Sequence, residues 1–323
     1  MSSRVLFVSG WGRSGSTLLD RLLGQVDGTV SVGEMRDVWQ RGVQENRLCG
    51  CGRPFLKCPM WSGVGQSAFG GWDALDLERV IALRQKVDRP WFVPFLLAPW
   101  LLTHRGRADL DQYVDVLATL YAGISAVNDG RIIIDSSKIP SYALILRRAG
   151  VDLKALHLVR DSRGVVHSWR KNVRRGDAAD AEDYMPTYGV TSACVRYLMY
   201  NGMSHLLQLV RLPYLRLRYE DLVSDPVTQL SRLSAFVGIR PGAELLADLE
   251  QRRLTFATTH TVDGNPMRLN VGSIAITVDD GWRTGLSALP RLVTTVLTAP
   301  LLAVYGYLRG SGRPAQSRRE LPA

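Results

Sequence analysis

Short apolar runs recur along the chain, and amphipathic stretches follow several of them. The runs predict strands over residues 5–8, 30–32, 132–134, 155–159 and 214–217. Apolar positions at helical spacing follow most of these runs and predict helices between the strands. Strands that alternate with helices indicate an α/β fold of three layers around a central, mostly parallel sheet.

Polar groups follow three of the predicted strands, at residues 10–17, 135–138 and 160–163. In open parallel sheets the carboxyl ends of the strands lie at one edge, where ligands bind. We therefore expect these three groups to lie close together and to form the functional site.

A glycine loop links the first predicted strand to the helix that follows it. Gly10 and Gly15, followed by Ser16 and Thr17, match most of the P-loop pattern, in which a helix N-terminus binds phosphate. ATP-binding loops carry a lysine where this chain has Ser16, and the nearest cation here is Arg13. A loop without that lysine suits a shorter anion better than the phosphates of a Mg²⁺-bound nucleotide.

This loop resembles the 5′-phosphosulfate loop of sulfotransferases that use 3′-phosphoadenosine 5′-phosphosulfate (PAPS). The arginine at its start is similar to that of tyrosylprotein and bacterial sulfotransferases. The resemblance implies a P-loop-like fold and a PAPS-binding loop made of Arg13, Ser14, Gly15, Ser16, Thr17 and Leu18.

Further residues extend the resemblance to the remainder of the PAPS site. Arg160 and Ser168 have the spacing of the 3′-phosphate site of the family, where a guanidinium and a hydroxyl bind phosphate. Tyr219 resembles the family tyrosine near the adenine. Arg268 resembles a basic residue of the C-terminal loop that closes over PAPS, although the family's arginine-lysine-glycine sequence is absent here.

The resemblance also implies two catalytic residues. Glu34 follows Arg13 at the distance that separates the catalytic glutamate from the loop arginine in tyrosylprotein sulfotransferases, so Glu34 is the predicted general base. Lys138 resembles the family lysine that contacts the sulfo group or the bridging oxygen. Small-molecule sulfotransferases of the cytosol use a histidine as base, but His104 and His157 are not convincing candidates for that role.

The predicted function is transfer of the sulfuryl group from PAPS to a hydroxyl or amine of an acceptor, without a metal ion. A P-loop kinase or NTPase acting on a small molecule is the first alternative, and Mg²⁺-dependent nucleotide turnover would support it. A basic protein that binds nucleotide or nucleic acid without catalysis is the second alternative.

Residues 1–310 are predicted to form one domain, with a helical insert at about residues 45–130 and a disordered tail at residues 311–323. The insert is rich in apolar residues, which could line an acceptor pocket or could simply pack in a core. The uncharged residues 292–308 fall short of the ~20 residues that span a bilayer, so a packed or surface-lying helix is expected. These segments suggest a small-molecule or glycolipid acceptor and a peripheral membrane contact.

Three cysteines, Cys49, Cys51 and Cys58, lie close together in a loop-rich segment. They could bind zinc, but no fourth ligand is adjacent, and zinc signatures commonly have two cysteine pairs. Reduced cysteines that pack a loop are the favoured interpretation. His167 and His260 are assigned no role.

The chain of 323 residues contains 40 basic and 30 acidic residues, which favours an anionic ligand. The basic residues are dispersed and no nucleic-acid motif accompanies them, so no nucleic-acid partner is expected. No signal peptide precedes the first strand, and four cysteines do not make a disulfide framework. A cytoplasmic location is therefore expected.

Overall fold

Five parallel strands form the central sheet of the structure, a computed structural model that describes residues 2–177 and 183–308. The spatial order of the strands is β2-β3-β1-β4-β5. Their bounds are Arg4–Gly10 (β1), Thr29–Gly33 (β2), Ile132–Lys138 (β3), Asp152–Val159 (β4) and Tyr214–Arg218 (β5). The sequence prediction of an α/β fold with a parallel central sheet is confirmed.

Helices cover both faces of this sheet. The first six α-helices are Ser16–Leu23 (α1), Pro59–Phe69 (α2), Leu77–Val87 (α3), Val93–Leu97 (α4), His104–Val127 (α5) and Pro140–Arg148 (α6). The next five are Ser162–Trp169 (α7), Val190–Leu209 (α8), Tyr219–Ser224 (α9), Pro226–Val237 (α10) and Ala243–Glu250 (α11), and Trp282–Gly285 (α12) and Ala288–Val304 (α13) follow.

Alternate residues of β1 enter two different hydrophobic cores. Val5 and Phe7 pack into the core that includes α5 and α6, whereas Leu6 and Val8 pack into the core that includes α1 and α10. Successive side chains of a strand point to opposite faces. The sheet is therefore buried on both sides, which gives the three predicted layers.

The third strand continues beyond its apolar run. The sequence predicts that it ends at Ile134, but β3 extends to Lys138 with Asp135 fully buried. Tyr121 and Ser137 each donate a side-chain hydrogen bond of 2.5 Å to the Asp135 carboxylate. Buried polar groups are tolerated when they are hydrogen-bonded, so polar residues can continue this strand.

Two connections outside the central sheet bear on the site. After Glu34 the chain forms a 3₁₀ turn, Met35–Asp37, and a π-helix, Val38–Gln44. Beyond α11 the chain forms an antiparallel hairpin of β6 (Arg253–Phe256) and β7 (Gly272–Ala275).

The connection between β6 and β7 is important for the site, and we call residues 257–270 the cover segment. Arg21 of α1 is buried and donates hydrogen bonds of 2.6 Å to the carbonyls of Ala257 and Asn270, at the two ends of this segment. The cover segment is therefore attached to the helix that begins at the glycine loop.

The uncharged stretch in residues 292–308 lies mainly in α13. Thr294, Thr298 and Leu302 of this helix are buried, whereas Leu292 and Val296 are 60% and 62% exposed. In the described ranges, no helix combines the length and the hydropathy needed to cross a bilayer. The predicted disordered tail, residues 311–323, lies outside the described residues.

Candidate active site

A cavity of about 450 Å³ lies at the carboxyl ends of the central strands. Ten of the predicted site residues line it: Arg13, Gly15, Ser16, Thr17, Leu18, Glu34, Lys138, Arg160, Ser168 and Tyr219. The structure thus brings the loop after β1, the end of β2, the end of β3, the residue after β4 and the end of α7 to one place.

Positive φ values at Arg13 and Gly15 shape the part of the glycine loop that leads into α1. Arg13 has φ 67° and Gly15 has φ 89°, and α1 begins at Ser16, directly after Gly15. A Cβ atom at Gly15 would lie 2.4 Å from the Tyr219 ring, so only glycine fits here. The first N–H groups of α1 have no partner within the helix and are available to an anion at this end.

Arg13 and Ser14 hold buried polar atoms without a partner in the described part of the chain. These atoms are Nε and one terminal nitrogen of Arg13 and the hydroxyl oxygen of Ser14. Burial lowers the pKa of Arg13, and the nearby Arg175 lowers it further, while Glu34 opposes both effects. Buried donors in native structures have partners as a rule, so the two Arg13 nitrogens fit an anionic ligand.

The Arg160 side chain has protein partners in this structure. Its guanidinium donates to the Arg13 carbonyl at 3.1 Å and to the Asp279 carbonyl at 2.9 Å, and it forms an ion pair of 2.9 Å with the Asp279 carboxylate. It also lies 4.5 Å from the centre of the Tyr219 ring. A phosphate at Arg160 would therefore replace the Asp279 carboxylate.

Glu34 and Lys138 form an ion pair at the cavity wall. Burial raises the pKa of Glu34, whereas Lys138 lowers it and Asp263 raises it. Lys138 has φ 69°, and its ammonium also donates to the Ser136 carbonyl at 3.1 Å. Non-glycine residues in such strained conformations occur often at functional sites.

The cover segment runs directly over the Gly33-Glu34 step. The Val262 amide donates to the Val32 carbonyl at 3.0 Å, and a Cβ atom at Gly33 would lie 2.9 Å from the Thr261 side chain. Gly264 approaches the Glu34 carboxylate from the same segment. The backbone of the cover segment can therefore lie this close because residue 33 has no side chain.

Two predicted residues do not line the cavity. Ser14 is buried beneath the loop. Arg268 is also buried and donates to the carbonyls of Thr261 and Leu48, at 2.9 and 2.7 Å, and pairs with Asp177 at 3.1 Å. Arg268 thus attaches the cover segment to the protein, and its guanidinium is not presented to the cavity.

The cavity also contains residues that the sequence analysis did not identify. The Arg13 guanidinium carbon lies 5.0 Å from the centre of the Trp169 ring. Arg175 forms an ion pair of 2.9 Å with the Asp263 carboxylate. Trp169 follows Ser168 on α7, and this adjacency could have indicated it. Arg175 and Asp263 come from irregular segments that are distant in sequence, and no local pattern marks them.

Comparisons with known proteins find similarities to sulfotransferases. Residues 97–241 match the Sulfotransferase family. Human carbohydrate sulfotransferase 2 is 28% identical over 202 residues, which are 52% of this chain and 37% of that protein. The chain thus spans well under half the length of that relative.

A solved structure shares the fold. The sulfotransferase domain from the curacin biosynthetic pathway matches with a TM-score of 0.51 and 20% identity, over 93% of this chain and 98% of that one. The chain thus has the fold of that domain, and part of its sequence is similar to sulfotransferases.

Proposed function

We propose that this protein transfers the sulfuryl group of PAPS to a hydroxyl or amine of an acceptor, with Glu34 as general base. The similarity to sulfotransferases supports sulfuryl transfer in general terms. One observation carries the finer proposal. The buried, partnerless donors of Arg13 occur in the same cavity as the ion pair of Glu34 and Lys138.

PAPS would be held at two places in this cavity. Arg13 and the amides at the start of α1 would bind the 5′-phosphosulfate, because both present unpaired donors at the glycine loop. Arg160 and Ser168 would bind the 3′-phosphate, with Tyr219 beside the adenine. When bound, PAPS supplies a sulfuryl group that is activated by its bond to phosphate.

Glu34 would take the proton from the acceptor hydroxyl or amine. Its side chain is partly buried, with 19% exposed, and this burial raises its pKa, so it holds a proton more strongly than an exposed glutamate does. Lys138 would release Glu34 and turn its ammonium toward the negative charge that develops on the bridging oxygen. Arg13 and Lys138 supply cationic groups, so we propose that the transfer itself needs no metal ion.

A small molecule with a hydroxyl, such as a carbohydrate or glycolipid, is the proposed acceptor. The human relative is named a carbohydrate sulfotransferase, which supports a hydroxyl acceptor. The exposed apolar face of α13 supports a peripheral contact with a membrane, at which a glycolipid would be available. We propose a membrane-peripheral location on this basis.

Calorimetry tests the proposed cofactor. The full chain is titrated with 3′-phosphoadenosine 5′-phosphate (PAP) and, separately, with ATP in the presence of Mg²⁺. Binding of PAP well above that of ATP is expected, and preference for ATP with Mg²⁺-dependent hydrolysis would show a kinase or NTPase instead. Incubation with ³⁵S-labelled PAPS and fractionated cell extract then identifies the class of acceptor.

A further inference from the structure

Four potential metal ligands meet beside the cover segment, away from the residues assigned to PAPS. They are Cys49, Cys51 and Cys58 from one loop and His260 from the cover segment. One ligand atom from each residue lies within 4.8 Å of the corresponding atoms of the others. The fourth ligand that the sequence lacks near the cysteines is thus supplied by a residue more than 200 positions away.

The histidine presents a ring nitrogen to the sulfur atoms. Nδ1 of His260 lies 3.2 Å from the Cys58 sulfur and 3.8 Å from the Cys49 sulfur. Zinc–sulfur bonds of about 2.3 Å in a tetrahedron separate two ligand atoms by about 3.8 Å. The observed spacing needs only small side-chain movements to reach that geometry.

We propose that these four residues bind one Zn²⁺ ion as a structural site of the Cys₃His type. Three thiolates and one imidazole nitrogen fill all four tetrahedral positions, which is the arrangement of structural zinc and leaves no position for a substrate. Cys49 and Cys58 are fully buried, as ligands of a closed site are. Zinc binding displaces the thiol protons, so the site forms from the thiolate side chains.

The backbone around the cysteines is already shaped for such a site. The Cys49 amide donates to the Arg53 carbonyl and the Gly52 amide donates to the Cys49 carbonyl, both at 2.8 Å. This tight turn places Cys49 and Cys51 on the same side as Cys58. The turn residue Gly52 has φ 78°, which glycine adopts without strain.

The histidine is held by neighbouring hydrogen bonds. The indole nitrogen of Trp61 donates to the His260 carbonyl at 2.8 Å, and the Gly50 amide donates to the Thr261 carbonyl at 2.9 Å. The loop that carries the three cysteines, residues 49–58, is thus held next to the cover segment before any metal binds. We call it the cysteine loop. A preformed ligand set reduces the ordering that metal binding requires.

The proposed zinc has a consequence for the active site. His260 is adjacent to Thr261, whose side chain lies against Gly33, and Asp263 and Gly264 of the same segment line the cavity. Zinc would join this segment to the cysteine loop. It would therefore fix the wall of the cavity beside Glu34 without taking part in the transfer.

Metal analysis tests the site. The full chain is purified under reducing conditions, reconstituted with Zn²⁺, dialysed and measured by inductively coupled plasma mass spectrometry. About one zinc per chain is expected for the wild type and for Cys194→Ser, which removes a buried cysteine outside the cluster. His260→Ala and Cys58→Ser should lose most of this zinc.

A second variant covers the case in which removal of His260 prevents folding. His260→Cys keeps four ligands of a type that zinc accepts, so it should retain the metal that His260→Ala loses. Replacement by Co²⁺ should give the visible absorption of tetrahedral cobalt in the wild type and not in Cys58→Ser. Zinc that is absent from the wild type, or equal in all variants, would refute the proposal, as would a Cys49–Cys58 disulfide in protein purified without oxygen.

Discussion

Glu34 and Lys138 form an ion pair, although Glu34 follows β2 and Lys138 ends the neighbouring strand β3. The pair exists because β3 continues through polar residues to Lys138, whose positive φ ends the strand. Lys138, which we propose to act at the leaving oxygen, thus holds the carboxylate of Glu34, which we propose as base.

Glu34→Gln should abolish transfer and preserve binding. The amide keeps the size of the side chain but cannot accept the proton, so kcat should fall ~10²–10⁴-fold. The affinity for PAP, measured by calorimetry, should stay within a few-fold of the wild type. Glu78→Gln, at an exposed position of α3, is the control, and an unchanged kcat in Glu34→Gln would remove Glu34 as the base.

The wild-type rate should depend on pH through Glu34. The carboxylate must be deprotonated to act as base, and burial raises its pKa, so kcat should rise as pH increases through that raised pKa. The residual rate of Glu34→Gln should lack this rise. Labelled-sulfate transfer at saturating PAPS across the acidic to neutral range measures both profiles.

Arg13→Ala should weaken the binding of PAP. Loss of a hydrogen bond to a charged group costs ~1.5–3 kcal/mol, which corresponds to a Kd increase of roughly 10- to 150-fold. Arg240→Ala removes an exposed arginine between α10 and α11 and serves as the control of net charge. Equal affinities of the two variants would mean that the partnerless donors of Arg13 do not face the phosphosulfate.

Asp279→Asn should strengthen the binding of ligands that carry a 3′-phosphate. The Asp279 carboxylate pairs with the Arg160 guanidinium in this structure, and the Asp279 side chain is 44% exposed. Partly exposed ion pairs contribute about 0–1 kcal/mol, so the gain should be at most about fivefold. Asp280→Asn is the neighbouring control, and adenosine 5′-phosphosulfate, which lacks the 3′-phosphate, should bind both variants like the wild type.

Asp20 should make the folded state less stable at alkaline pH. Burial raises its pKa to about 7, although Ser31 and Ser136 oppose the shift by hydrogen bonding. A carboxyl with a raised pKa stabilises the folded state fully below its unfolded value of 3.8, and this contribution is lost as pH rises through about 7.

Substitution of Asp20 tests this dependence. Asp20→Asn does not titrate, so its free energy of unfolding relative to the wild type should increase between pH 4 and pH 8. Urea unfolding at several pH values measures the difference. A difference that is constant with pH would contradict the assignment to Asp20.

The exposed apolar face of α13 should contribute to vesicle binding. Leu292→Asp with Val296→Asp places two charges on this face, where the side chains are 60% and 62% exposed. Co-sedimentation with lipid vesicles should decrease, because apolar area is lost from the contact. Val271→Asp changes an exposed valine outside α13 as the control, and equal sedimentation of both proteins would exclude this face.

The chain order of strands, glycine loop and helix was predictable from local patterns. Apolar runs end where the strands reach the cavity, and Arg13, Arg160 and Tyr219 lie at those ends, so their meeting follows from parallel topology. Lys138 was expected just after the third strand, and it is the last residue of β3. The extension of that strand was not predicted, because buried hydrogen bonds from Tyr121, which is distant in sequence, stabilise it.

Features that depend on contacts between distant residues could not be predicted. Arg268 is basic and lies near the expected loop, but only the structure shows Thr261, Leu48 and Asp177 around it. His260 has no neighbouring cysteine in sequence. Its position beside Cys58 results from the path of the cover segment, which no periodicity encodes.

The path of the cover segment also sets the order in which the cavity wall can form during synthesis. The glycine loop and Glu34 emerge first from the ribosome, whereas the Val32 carbonyl receives its hydrogen bond only after Val262 has been translated. Contacts over such long separations form slowly, because a large loop must close first. The nascent chain should therefore complete the wall of the cavity beside Glu34 only after the cover segment has been translated.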